Sequence, residues 1–181
     1  MLQKCLDVFG FEWFFVYLAI SAFTGMRQAE VIGLDVDKID FDKNIIKVRQ
    51  QYTRNELKGK LKTKSSYRDI DMFPLFASIL KTYIIKKRIF KGALLKGNTG
   101  SNRVNSSFML KKYWKPLKVA CGFEKMKGLT PHSLRGCFTD FCLEESIDDK
   151  FVQGTLGHSN ITTTKNIYAK KTKKMSENYK H

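Results

Sequence analysis

The sequence predicts an α+β fold, mostly helical, with a small three-stranded antiparallel sheet near the N-terminal third. Three observations carry that prediction. Apolar residues recur at helical spacing before residue 36 and again after residue 74. Period-two alternation is confined to residues 36–72. At 181 residues, 43% hydrophobic and 13% aromatic, the chain is long and apolar enough to bury one core without disulfide staples.

The elements follow in order. A first helix is expected over residues 6–23, ending at Thr24-Gly25, and a second over "RQAEVIGL". The stretch "FFVYLAISAF" at 14–23 is half the roughly 20 residues that span a bilayer. It also lacks the basic flank and small-residue cleavage site of a secretory signal, and it reads as a buried helix. "KIDFDKNIIKVRQQY" reads as two short strands around the turn Asp42-Lys43-Asn44, with Ile39, Phe41, Ile46 and Val48 at alternate positions. "YRDIDMF" supplies a third strand, with Tyr67, Ile70 and Met72 as its apolar positions. The polar, lysine-rich "NELKGKLKTKSS" between them suits an exposed hairpin tip.

Helix returns at "LFASILKTYIIKKR", with Leu75, Ile79, Leu80 and Tyr83 on one face. Residues 91–107, rich in Gly, Asn and Ser, form the longest expected loop. Leu134, Phe138, Phe141 and Cys142 then recur at helical spacing, as do Phe151, Val152, Thr155 and Leu156. Asp148-Asp149 reads as a helix start. The tail 171–181 is basic, has no apolar face, and reads as a disordered segment or a docking arm.

Lys and Arg outnumber Asp and Glu by 33 to 17, a formal net charge of +16. Such an excess points to a polyanionic partner, because each neutralised phosphate releases counterions. A merely soluble basic protein is the bland alternative. The four cysteines form no CxxC pair and no zinc-like spacing. Cys137 and Cys142 fall in an apolar periodic segment and read as reduced core cysteines, which suits a reducing compartment.

Three clusters hold the polar residues that could do chemistry. In "TGMRQAEVIGL", Arg27 and Glu30 share a helix face, although a surface ion pair of little worth would look the same. In "TPHSLRGCF", His132 and Arg135 also stand three apart, which suggests a shared anion or simply two solvated side chains. In "LGHSNITTTKNIY", His158 follows a tight Leu156-Gly157 turn. A helix beginning near Ser159 or Asn160 puts Ile161, Thr164 and Tyr168 on one face. Tyr168 by itself reads as a helix anchor as readily as a nucleophile.

Around a phosphodiester these groups have complementary roles. Guanidinium forks match non-bridging oxygens and stay charged. A tyrosine hydroxyl, with an ordinary pKa of roughly 10, is activated by neighbouring positive charge and by a histidine that accepts its proton. A hairpin lysine can protonate the departing 5′-oxygen. None of these steps needs a metal or other cofactor, and a metal-dependent nuclease would need clustered acidic ligands that Asp148-Asp149 alone do not supply.

The ordered set "TGMRQAEVIGL", "KLKTKSSYRDIDM", "LTPHSLRGCFTDFCLEE" and "LGHSNITTTKNIYAK" resembles the catalytic domain of tyrosine recombinases, the integrases of phages and conjugative transposons. The resemblance runs from about Leu6 to Lys170. It implies that Arg27, His132, Arg135 and His158 surround the phosphate, that Tyr168 is the nucleophile, and that Glu30 is a structural companion. The family's hairpin lysine matches Lys62, with Arg68 at the basic position that follows and Lys64 as the alternative. It further implies site-specific DNA recombination through a 3′-phosphotyrosyl intermediate, double-stranded DNA as partner, a homotetramer on DNA, a monomer when isolated, no membrane, and a cytoplasmic, DNA-associated location in a bacterial cell. A type IB topoisomerase or a DNA-binding relative without catalysis remain the alternatives. Two departures stand out. Gly136 replaces the histidine that usually follows the second arginine, and the chain is expected to comprise the catalytic domain at 1–181 without the family's core-binding and arm-binding domains.

Overall fold

The computed structural model describes residues 1–61, 63–97 and 103–157. Helices dominate, and a small antiparallel sheet lies where the alternation predicts it. The first helical stretch is two helices, α1 (Leu2–Phe9) and α2 (Trp13–Thr24), rather than the single one expected over 6–23. The chain turns at Gly10, which donates to the Leu6 carbonyl, and Phe9 then meets Phe14 edge-on with ring centroids 5.6 Å apart. Continuous apolar periodicity hides such a break, because both helices pack on the same core.

Helix α2 is buried on nearly every side, from Trp13 through Ser21, as a helix apolar all round must be. Helix α3 (Gln28–Gly33) follows after a short turn. Strands β1 (Ile39–Asp40), β2 (Ile45–Val48) and β5 (Arg68–Asp71) make the three-stranded sheet in the order β1-β2-β5. Its register stacks Ile39 against Ile46 and Ile46 against Ile70, which are all buried. Between β2 and β5 the hairpin β3 (Gln51–Thr53) and β4 (Glu56–Lys58) forms the exposed lysine-rich excursion. Its two-residue turn puts Arg54 and Asn55 at positive φ, the geometry that matches strand twist.

Tyr67 does not join the inner face of the third strand. It is exposed, and its hydroxyl donates to the Gly59 carbonyl while accepting from Leu61 N–H. Arg68, directly opposite Val48, points inward with Ile70 and Met72.

Helix α4 (Pro74–Lys87) buries Phe76, Ala77, Leu80, Tyr83 and Ile84. Leu75, expected on that face, is 66% exposed, because the buried stripe runs one position later. Helix α5 (Ser106–Met109) is capped by the Asn105 side chain and continues through a π-turn (Leu110–Trp114) into α6 (Lys115–Ala120). Helices α7 (Ser133–Glu144) and α8 (Asp149–Leu156) close the described chain, and Asp148 accepts from the Lys150 and Phe151 backbone N–H groups as the predicted helix start.

Phe138, Cys142, Val152 and Leu156 form a small second cluster between α7 and α8. Phe141 and Phe151, assigned to the same faces by spacing, instead flank an open apolar groove of about 540 Å³, and Cys137 is exposed rather than in the core. Helical spacing defines a stripe but not which neighbour covers its edges. No described helix is long and apolar enough to cross a membrane.

Gly136 sits exposed inside α7, and a Cβ there would meet nothing within 4 Å among the described residues. Gly136→Ala is therefore expected to stabilise the chain by about 1 kcal/mol, raising Tm by roughly 2–4 °C in a calorimetric scan.

Candidate active site

The site is built at the end of α2. Thr24 donates its hydroxyl back to the Ile20 carbonyl at 2.5 Å and accepts from Met26 N–H at 3.1 Å. Gly25 takes the left-handed conformation, φ 60°, and caps the helix through the Ser21 carbonyl. A Cβ at Gly25 would lie 2.7 Å from both Leu156 Cδ2 and Phe138 Cδ1, so only glycine lets α7 and α8 approach this turn so closely. The turn delivers Arg27 to the start of α3.

Arg27 donates from its backbone N–H and its Nη1 to the two Glu30 oxygens, each at 2.9 Å. This is no surface pair, since the Glu30 side chain is only 2% exposed. Arg68 approaches the same carboxylate from β5, donating from Nη2 at 2.8 Å and from Nη1 at 3.2 Å. Burial alone would raise the Glu30 pKa, but the hydrogen bonds and charge of Arg68, followed by those of Arg27, hold it below the ordinary carboxylate range.

Arg135 enters from α7. Its guanidinium is buried, donating to the Gly25 carbonyl at 2.6 Å and to the Leu156 carbonyl at 2.7 Å. Burial foremost, then Arg27, pulls its pKa down to about 9; Glu30 opposes the shift and Arg68 adds to it. Arg135 stays charged at neutral pH, held among cations in a place that an approaching anion would relieve. The last turn of α8 thereby has two carbonyls satisfied by buried arginines, because Arg68 Nε donates to Thr155 O at 2.5 Å.

Of the residues expected from sequence, the structure brings Arg27, Glu30 and Arg135 together. His132 lies one turn before Arg135, exposed at the N-cap of α7. Lys62, His158, Tyr168, the helix expected after Ser159 and the tail 171–181 lie outside the described residues. The side chain of Lys64, in the short turn Lys64–Ser66, is likewise not described. Their flanks are placed, however. Gly157, at φ 66°, is so close to that turn that a Cβ on it would sit 2.8 Å from Ser65 O.

Sequence reasoning undervalued Arg68, naming it only as the basic position after the lysine. Strict alternation counted back from Met72 and Ile70 puts Arg68, not Tyr67, on the buried face. It missed Arg103 altogether, a buried side chain that donates to Ile32 O at 3.0 Å and pairs with Asp35 behind α3. No periodic or motif signal marked that residue.

Residues 14–175 match the phage integrase family. The chain belongs to that family. Within it, the chain is 29% identical over 171 residues to a tyrosine recombinase XerC-like protein of Caldanaerobacter subterraneus, covering 80% of this chain and 42% of that protein. It is 28% identical over 164 residues to the transposase from transposon Tn916 of Enterococcus faecalis, covering 81% and 39%. A tyrosine recombinase XerD of Halalkalibacterium halodurans is 30% identical over 164 residues, covering 87% and 50%. The chain thus spans half or less of the length of these relatives.

Among solved structures, the fold is similar to the Tn1549 transposon integrase in complex with circular intermediate DNA, with a TM-score of 0.76 at 23% identity over 92% of this chain and 58% of that one. It is also similar to the XerA recombinase, with a TM-score of 0.71 at 23% identity over 92% and 55%. At those identities the likeness bears on the fold, which is that of a tyrosine recombinase catalytic domain.

Proposed function

We propose that this chain catalyses site-specific DNA recombination or integration by transesterification through tyrosine. The observation that carries the reading is the gathering of three arginines at one turn: Arg27 and Arg68 share the carboxylate of Glu30, and Arg135 is held on the Gly25 and Leu156 carbonyls. One carboxylate against three arginines leaves a surplus of positive charge beside the end of α8, where a phosphodiester would be attracted and its developing charge stabilised. The relatives named as tyrosine recombinases and a transposase support the reading, as does the DNA complex of the Tn1549 integrase.

In this mechanism the Tyr168 oxygen attacks phosphorus and the P–O5′ bond breaks. The 3′-phosphate stays on tyrosine while O5′ leaves with a proton from Lys62, or from Lys64. Arg27 and Arg135 hold the non-bridging oxygens, with His132 and His158 hydrogen-bonding the phosphate or accepting the tyrosine proton. A 5′-hydroxyl from a partner duplex then reverses the chemistry, so bond energy is conserved. Double-stranded DNA is the partner, with a homotetramer as the working state on DNA, a monomer when isolated, and a bacterial cytoplasm as the setting.

The test uses duplexes that the chain itself selects from a randomised library at low salt, nicked so that cleavage is trapped. A covalent protein–DNA band formed in EDTA and lost in Tyr168→Phe is the expected result. Persistence of the band in that variant would overturn the assignment and turn attention to Tyr179.

A further inference from the structure

Beyond its share of that positive charge Arg68 has no step of its own in this chemistry, yet it joins three pieces of the site. Its Nη1 and Nη2 donate to both Glu30 oxygens, which fixes it to the Arg27 turn. Its Nε donates to Thr155 O at 2.5 Å, which fixes it to the last turn of α8, immediately before the segment bearing His158 and Tyr168. Nη1 also donates to Ser66 O at 3.1 Å, which fixes it to the turn Lys64–Ser66 of the lysine-rich excursion. That turn is stiffened internally, with the Thr63 hydroxyl 3.0 Å from the Ser65 hydroxyl and 2.9 Å from the Ser66 hydroxyl. The backbone beneath Arg68 is held as well, because its carbonyl accepts from Arg49 Nη1 at 2.8 Å.

We infer that Arg68 is a positioning residue for cleavage: its planar fork sets the lysine-bearing turn relative to the Arg27–Glu30 pair and the end of α8. Lysine cannot replace it, since one ammonium cannot reach the Glu30 oxygens, Ser66 O and Thr155 O in three directions. The inference rests on the tyrosine-transesterification reading, and it assigns Arg68 to one part of that reaction. When the P–O5′ bond breaks, O5′ must take up a proton, and a displaced turn delivers it poorly. The attack by tyrosine on phosphorus draws on the arginine clamp and is less affected.

The two steps are separated by the leaving group. A bridging 5′-sulfur departs as a thiolate without needing the proton, whereas a 5′-oxygen needs it. The chain-selected nicked duplexes are prepared with either atom at the scissile phosphate, and the rate of covalent adduct formation is measured for two variants. Arg68→Lys keeps the charge and loses the fork. Arg68→Gln removes the charge and the fork but leaves Glu30 paired with Arg27, and urea unfolding of each variant gives the folded fraction on which its rate is read.

Both variants are expected to cleave the oxygen substrate about 100-fold more slowly than the unaltered chain, in the range typical of a lost general acid, and the sulfur substrate within about fivefold of it. Equal losses on the two substrates would reduce Arg68 to a structural residue and overturn the inference, as would an unchanged rate on oxygen. Failure of the unaltered chain to form an adduct on either substrate would instead overturn the reading beneath it.

Discussion

Replacing Glu30 by alanine is expected to cost about 3–5 kcal/mol of stability, the range seen when one partner of a buried ion pair is removed. Glu30 accepts from the Arg27 backbone, from Arg27 Nη1 and from both Arg68 terminal nitrogens, while itself only 2% exposed. Without it, Arg68 remains buried beside Arg27 and Arg135 with its compensating charge gone. Hydrophobic burial cannot make up the difference, because an alanine leaves a polar hole rather than a packed apolar side chain. For a chain of this size the loss corresponds to a Tm drop of roughly 10 °C in a calorimetric scan.

The same carboxylate gives the chain a pH signature. Its folded pKa is depressed below the roughly 4.3 of an unfolded glutamate. Its stabilisation is fully present above that value and is lost as the pH falls through the folded pKa. Within that window the unfolded chain binds more protons than the folded chain, so stability falls with pH by at most about 1.4 kcal/mol per pH unit from this group. Urea unfolding at pH 5, 4 and 3 is expected to show stability falling below about pH 4.3 in the unaltered chain and a shallower fall in Glu30→Gln. Parallel slopes would mean that Glu30 is not the buried anion of the site.

Gly25→Ala is expected to lose both stability and activity. Its φ of 60° is left-handed, and the added methyl would press on Leu156 and Phe138 at 2.7 Å. Backbone strain and overpacking together come to about 2–4 kcal/mol. The carbonyl of this residue accepts from Arg135 Nη1 at 2.6 Å, so relieving the clash by moving the turn away from α7 also moves an arginine of the proposed clamp. A displacement of that kind is worth about 100-fold in cleavage rate on the trapping duplexes. An alanine variant that melts early but cleaves at the unaltered rate would separate Gly25 from the site.

Much of this was legible in the residues. The helix–sheet–helix order, the buried helix at 14–23 and the break at Thr24-Gly25 follow from apolar period and from a glycine at the right place, and these are local properties. The motif spacing singled out Arg27, Glu30, His132 and Arg135 because rare polar residues embedded in helical patterns stand out. Other features were not legible. Apolar spacing does not reveal where a helix turns back on the same core, as at Gly10. Nor does it say whether an apolar side chain at the edge of a stripe is covered, which is why Leu75, Phe141, Phe151 and Cys137 lie exposed.

The sequence by itself determined the family and the chemical inventory, since motif order and residue type are properties of the chain alone. Only the tertiary structure decided that Glu30 is a buried anion shared by Arg27 and Arg68, rather than half of a weak surface pair. It also decided that the end of α8 is tied by Arg68 and Arg135 to two distant parts of the chain. The physical reason is that burial converts a charge from an inexpensive surface feature into one that must be matched. That match was made by residues 38 and 87 positions apart in sequence, Arg68 with Glu30 and with Thr155, which no local pattern connects.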